Sequence, residues 1–165
     1  MGYGVPAAIA ASIEFPERIS IAFAGDGCFL MNAQEIATAK KYNASPIFIV
    51  LNNGIYGSIR MHQEREFPTR SIGTDLNNPD FVSYAEAFGI KGYRVSQTRE
   101  FKSVFENALK TEGPSLIELV VSEEANDILN AVKERKNFII RTVLAVALVI
   151  LIFSLFLNKY ILKPI

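Results

Sequence analysis

Apolar and polar positions change period along the chain in a regular way. Ile19-Ser20-Ile21-Ala22-Phe23-Ala24 reads as a strand, and so do Ile47-Phe48-Ile49-Val50-Leu51, Gly92 to Ser96, and Ser115 to Val121. Helical spacing fills the intervals. Gly4 to Ile13 is alanine-rich with Pro6 in its first turn, and Asn32 to Tyr42 closes on Lys40-Lys41. Arg99 to Thr111 places Phe101, Val104, Phe105, Ala108 and Leu109 on one face. Asn78-Pro79-Asp80-Phe81 predicts a helix start, with Asn78 as N-cap, Pro79 at the first position, Asp80 in the first turn and a stop at Gly89. Phe15-Pro16-Glu17-Arg18 and Gly113-Pro114 are breaks, and a short helix is expected beyond Gly57. Strands alternating with helices predict an α/β fold, a parallel sheet with helices on both faces.

The pattern changes after Ser122. Residues 123–137 read as a polar helical linker. From Phe138 to Leu157 only Arg141, Thr142 and Ser154 interrupt an apolar run. Such a run, at ~1.5 Å per residue, spans about 30 Å, the thickness of a bilayer core. A buried helix is the alternative, but sixteen uncharged residues from Thr142 to Leu157 favour a transmembrane helix over 138–158, with 159–165 as a short tail. Lys133, Arg135, Lys136 and Arg141 precede the span, while Lys159 and Lys163 follow it. The heavier positive side predicts a single-pass membrane protein whose N-terminal domain, residues 1–122, is cytoplasmic.

Composition narrows the function. Of 17 basic and 17 acidic residues, six basic and one acidic lie between Lys133 and Lys163, so Met1 to Val132 is mildly acidic. That argues against nucleic acid as a partner. The lone Cys28 can form no internal disulfide, and the only histidine is His62, so no sequence-adjacent base makes Cys28 a nucleophile. The N-terminus has no basic region of a signal peptide, and Pro6 stands where myristoylation requires Ser or Thr. Asn43-Ala44-Ser45 matches a glycosylation sequon that a cytoplasmic domain would not use.

The candidate chemistry sits at two strand ends. Gly25-Asp26-Gly27 ends the first strand; twenty-four residues later, Asn52-Asn53 ends the second. A right-handed crossover makes these strands parallel and brings both motifs to one edge of the sheet, where open α/β sheets bind ligands. Glycines around Asp26 let backbone amides approach a diphosphate, and the helix that follows aims its N-terminus at the same place. Asp26 and Asn53 offer hard oxygens suited to Mg²⁺ or Ca²⁺. Gly-Asp-Gly alone is a common turn, as is Asn-Asn-Gly; the joint pattern at fixed spacing carries the argument.

With Met1-Gly2-Tyr3-Gly4-Val5-Pro6-Ala7-Ala8 before the first strand and Asn53-Gly54-Ile55-Tyr56-Gly57 after the second, the chain resembles, over about 1–121, the thiamine-diphosphate-binding domain of enzymes of the acetolactate synthase and pyruvate oxidase type. The resemblance implies an incomplete thiamine-diphosphate-binding fold, truncated at its start, since Met1 falls inside the family pattern. It implies Mg²⁺ held by Asp26, the side chain of Asn53 and the carbonyl of Ile55. Gly25, Gly27 and Cys28 would contact the diphosphate. Gly57, Ser58 and Ile59 would bind cofactor, the last two lining the thiazolium and substrate pocket. The wording Ile59-Arg60-Met61-His62-Gln63-Glu64 is characteristic of an acetolactate-synthase-like subgroup, whose members close this segment over the site. His62 is therefore a candidate substrate contact, although a charged run from Arg60 to Arg70 also reads as a solvated loop. The substrate would be a 2-oxo acid, and the protein an oligomer. The aminopyrimidine ring is activated by a glutamate from another domain, to which no residue here corresponds, so a partner chain with the pyrimidine-binding domain would be needed for catalysis. Two other readings stay open: a non-catalytic, membrane-anchored binding module, and a truncated enzyme joined by chance to a membrane segment.

Overall fold

The computed structural model describes residues 1–122. The linker, membrane-spanning and tail assignments over 123–165 lie outside the described residues. Among the described residues no helix is long and apolar enough to cross a membrane.

The elements follow in the order α1 (Gly4–Glu14), β1 (Ile21–Gly25), α2 (Asp26–Phe29), α3 (Ile36–Lys41), β2 (Ile47–Asn52), α4 (Gly57–Glu66), α5 (Phe81–Ala87), β3 (Lys91–Val95), α6 (Phe101–Leu109) and β4 (Ser115–Val120). Short 3₁₀ turns at Ala33–Glu35 and Thr98–Glu100 lead into α3 and α6. The four strands form one parallel sheet in the order β1-β2-β4-β3. Position in that order explains the composition of each strand. The inner strands β2 and β4 are covered on both faces, so they read as largely apolar runs. The edge strand β1 alternates instead, burying Ala22 and Ala24 and leaving Ile21 and Phe23 exposed.

One face carries the larger core. Val5, Ala8 and Ile9 of α1, Phe29 of α2, Ile36 and Ala39 of α3, and Phe81 and Ala85 of α5 pack there on Ala22, Ala24, Phe48, Val50 and Leu116. The other face packs Ile47, Ile49, Val95 and Ile117 under α6 through Phe101, Val104, Phe105 and Ala108. The predicted α/β class with helices on both faces is the one found.

Several boundaries differ for identifiable reasons. The first strand starts at Ile21, because Ser20 turns its hydroxyl onto the carbonyl of Ala8. The helix expected from Asn32 starts as a 3₁₀ turn at Ala33, since Asn32 commits its side chain to the carbonyl of Gly2. The α6 helix begins at Phe101, behind a 3₁₀ turn closed by a Gln97/Glu100 capping box. The expected cap of α5 is corrected outright. Asp80, not Asn78, is the N-cap, its Oδ1 accepting from the Ser83 backbone N–H at 2.8 Å.

The Ser83 N–H, and then Arg94, hold the Asp80 carboxyl down at about 2. A carboxyl depressed in the folded state contributes stability that is complete above its unfolded value of about 3.9 and fades as pH falls toward the folded value. The thermal midpoint of Asp80→Asn is therefore expected below that of the wild type at pH 6. The gap should close between about pH 4 and 2. A gap independent of pH would remove Asp80's charge from the account.

Candidate functional site

Parallel register sets the site. Gly25 pairs with Leu51, so the turn after β1 and the turn after β2 leave the sheet side by side. Asp26 does not wait for the later helix, as the sequence suggested. It opens its own single turn, α2, with Gly25 as an extended N-cap. Asp26 is 2% exposed, and its carboxylate gathers three segments. Oδ1 accepts from the Gly27 N–H at 2.9 Å. Oδ2 accepts from the Gly54 N–H at 2.8 Å and from Asn78 Nδ2 at 2.7 Å.

The loop after β2 is equally fixed. Gly54 takes φ +71°, a conformation that a side chain would strain, and this directs its N–H at Asp26. The loop is then stapled to the segment before α5: Leu76 N–H donates to the Gly54 carbonyl and Tyr56 N–H to the Thr74 carbonyl, each at 2.7 Å. The Tyr56 ring lies against Gly27, where any Cβ would fall 2.4 Å from Cε1. At the N-terminus, Gly2 N–H donates to Cys28 Sγ at 3.3 Å, and Asn32 Nδ2 donates to the Gly2 carbonyl at 2.8 Å.

These turns enclose a cavity of about 610 Å³. All nine sequence-predicted residues line it: Gly25, Asp26, Gly27, Cys28, Asn53, Ile55, Gly57, Ser58 and Ile59. Met1, Met31, Leu51 and Tyr56 complete the lining. Leu51 was legible as the last apolar residue of its strand; Met31 carried no signal. His62 is not brought to the cavity. It is exposed on α4, with Nδ1 2.9 Å from Arg65 Nη2.

The donor set fits a hard cation. Among the described residues no three His, Cys, Asp or Glu side chains converge on a metal position, so a cation here would rest on mixed oxygens. Asp26 Oδ1 accepts one hydrogen bond, from Gly27. Asn53 Oδ1 accepts one, from the Ile55 N–H at 3.2 Å. The Ile55 carbonyl accepts one, from the Gly57 N–H at 2.9 Å. Each such oxygen has a second lone pair, so one carboxylate, one amide oxygen and one carbonyl remain available together. That is a Mg²⁺-type set, which leaves the remaining positions to phosphate oxygens and water.

Asn78 is the residue that local sequence reasoning misplaced. Its Nδ2 bridges Asp26 Oδ2 and Asn52 Oδ1, the latter at 2.8 Å. Asn52, the first residue of the Asn pair, is not among the cavity's lining residues and donates Nδ2 to Glu118 Oε1 at 2.7 Å.

Comparison with known proteins identifies the family. The model of the family "Thiamine pyrophosphate enzyme, C-terminal TPP binding domain" matches residues 1–119. The acetolactate synthase large subunit of Cyanidium caldarium is 37% identical over 128 residues, covering 76% of this chain and 22% of that protein. Isozyme 2 of the Escherichia coli K12 large subunit is 34% identical over 127 residues, covering 76% of this chain and 23% of that protein. Among solved structures, the thiamine diphosphate-dependent 4-hydroxybenzoylformate decarboxylase of Rhodococcus jostii RHA1 superposes with a TM-score of 0.71 at 32% identity, covering 76% of this chain and 24% of that one. The chain thus spans less than a quarter of the length of each.

Proposed function

Since the chain belongs to the thiamine pyrophosphate enzyme family, as its C-terminal TPP-binding domain, we propose that it binds the cofactor's diphosphate through Mg²⁺ held by Asp26, Asn53 and the Ile55 carbonyl. The observation that carries this reading is the cavity itself: Asp26, Asn53 and Ile55, each with an oxygen that keeps a spare lone pair, line one space with the small residues of the Gly25–Cys28 turn. In this reading Gly25, Gly27 and Cys28 contact the diphosphate, and Gly57, Ser58 and Ile59 meet the thiazolium and the substrate. The glycines on either side of Asp26 matter because a diphosphate needs backbone amides within hydrogen-bonding reach.

The proposed whole activity is that of an acetolactate-synthase-like enzyme acting on 2-oxo acids, in an oligomer with a partner chain that supplies the pyrimidine-binding domain. The bound cofactor would provide the electron sink for that chemistry; this chain's residues bind, orient and shield it. The C-terminal apolar run would anchor the domain to the cytoplasmic side of a membrane, a reading supported by the charge asymmetry of its flanks.

The test is calorimetry of the full chain with thiamine diphosphate, in Mg²⁺ and in EDTA. Saturable binding in Mg²⁺, weakened at least about tenfold by EDTA (about 1.4 kcal/mol), is the expected result. A folded protein that binds the cofactor equally in both would not use the proposed oxygens.

A further inference from the structure

A file of hydrogen bonds runs from the surface of β3 to Asp26, and its polarity is fixed at one end. Arg94 Nε donates to Glu118 Oε2 at 2.7 Å, and Arg94 Nη2 donates to the capping Asp80 at 2.6 Å. Glu118 is 3% exposed. A guanidinium only donates and a carboxylate only accepts. Glu118 Oε1 must therefore receive the Nδ2 side of the Asn52 amide. That leaves Asn52 Oδ1 facing Asn78, which must answer with its own Nδ2. The second hydrogen of the same Nδ2 goes to Asp26 Oδ2. Asn78 Oδ1 is buried without a partner among the described residues. The amide thus gives up an acceptor to keep both donors inward.

The consequence falls on Asp26. With Asn78 and Gly54 both donating to it, Oδ2 is saturated, and only Oδ1 keeps a lone pair. We infer that Glu118 positions the Asp26 carboxylate for metal binding, acting through the amide orientations of Asn52 and Asn78. None of the three touches the cation. Each sets which oxygen of Asp26 is offered to it. This rests on the reading of Asp26 as a metal ligand.

This chain of hydrogen bonds makes an unusual demand on substitutions. Glu118→Gln keeps shape, but Arg94 will claim the new amide's oxygen. Its NH₂ then faces Asn52, which must turn over, and Asn78 after it. An oxygen of Asn78 then meets Asp26 Oδ2, and the lock becomes a repulsion. Adding Asn52→Asp to that variant should undo this. The carboxylate introduced at position 52 would accept from the glutamine on one oxygen and from Asn78 on the other, restoring the donor at Asp26.

The experiment titrates Mn²⁺ into the full chain with thiamine diphosphate present and reads free Mn²⁺ by EPR. Thermal unfolding without metal is the control for folding. Outer residues of a metal site typically govern about 10–100-fold in affinity, and Glu118→Gln should lose that much. The double variant Glu118→Gln/Asn52→Asp should return to within about threefold of the wild type, a recovery that simple destabilisation of the fold does not give. Should the glutamine variant not fold, Asn78→Ala removes the last donor directly and should show the same loss. Unchanged Mn²⁺ affinity in Glu118→Gln, or a double variant no better than the single one, overturns the inference while leaving the function intact. A wild type that binds neither Mn²⁺ nor cofactor overturns both.

Discussion

Replacing Asp26 by alanine should abolish metal-dependent binding of thiamine diphosphate while leaving a folded but weaker domain. Asp26 brings the one carboxylate to the oxygen set at the cavity, so its loss removes the formal charge that would balance a cation bound there. The loss does not stop at the ligand. The Gly54 N–H and one hydrogen of the Asn78 amide both end on Asp26 Oδ2 and would lose that acceptor, while the other Asn78 hydrogen keeps Asn52 Oδ1. Buried donors stranded in this way cost about 1–3 kcal/mol each in stability; the missing carboxylate itself should lower affinity at least about a hundredfold, near 2.7 kcal/mol. Asp26→Asn separates the two effects. It can still accept at one oxygen and should recover part of the stability, with little of the metal affinity. Calorimetry in Mg²⁺ together with thermal unfolding checks both, and undiminished binding by Asp26→Ala would end the metal assignment.

The second large effect is expected at Phe29, which does not line the cavity. Its ring is fully buried and packs on Phe48, Phe81 and Tyr84, with centroids 6.4, 5.7 and 6.3 Å away. Those partners belong to β2 and α5, so Phe29 ties α2 to the two elements that flank the site. Truncating such a ring to alanine removes the transfer energy of its carbons and leaves a cavity the sheet cannot close. The expected cost is about 3–5 kcal/mol, read from the urea midpoint, a large share of the stability of most domains. Phe29→Leu should cost markedly less, because most of the volume remains. Asp26 and Phe29 share one helical turn, so Phe29→Ala should also weaken Mg²⁺-dependent binding, whereas an equally destabilising change under α6 should not. Loss of under about 1 kcal/mol would mean that the cluster repacks freely.

Much of this site was legible in the chain's residues alone. Strand and helix periods placed Gly25-Asp26-Gly27 and Asn52-Asn53 at the C-terminal ends of two strands, and parallel pairing made them neighbours. What escaped was decided by long-range partners. Asn78-Pro79-Asp80 offers two good capping residues, and local rules favour the one before proline. The choice is made by Asp26, fifty-two positions earlier, which takes the Asn78 amide and leaves the cap to Asp80. The α2 turn was invisible for a different reason. Four residues cannot show a helical period, and Gly27 is a poor helix former. Glu118 did leave a trace, a lone charge inside Ser115-Leu116-Ile117-Glu118-Leu119-Val120, the mark of a buried group with a partner. Nothing local told which partner.

The order of strands also sets a sequence of events in time. The pairing of β1 with β2 joins Ile21 to Ile47, twenty-six positions apart, whereas β2 meets β4 through Ile47 and Ser115, sixty-eight apart. Closing the longer loop costs roughly 0.9 kcal/mol more entropy on a flexible-chain estimate, and it must wait for more chain to be made. On a ribosome, Asp26 and Asn53 can come together while β4 is still unsynthesised. Glu118, whose buried carboxylate reaches Asp26 through Asn52 and Asn78, arrives last. A nascent chain would thus bring Asp26 and Asn53 together first and lock Asp26 afterwards, and pulse-labelled hydrogen exchange should find the Gly54 amide protected only after β4 has docked.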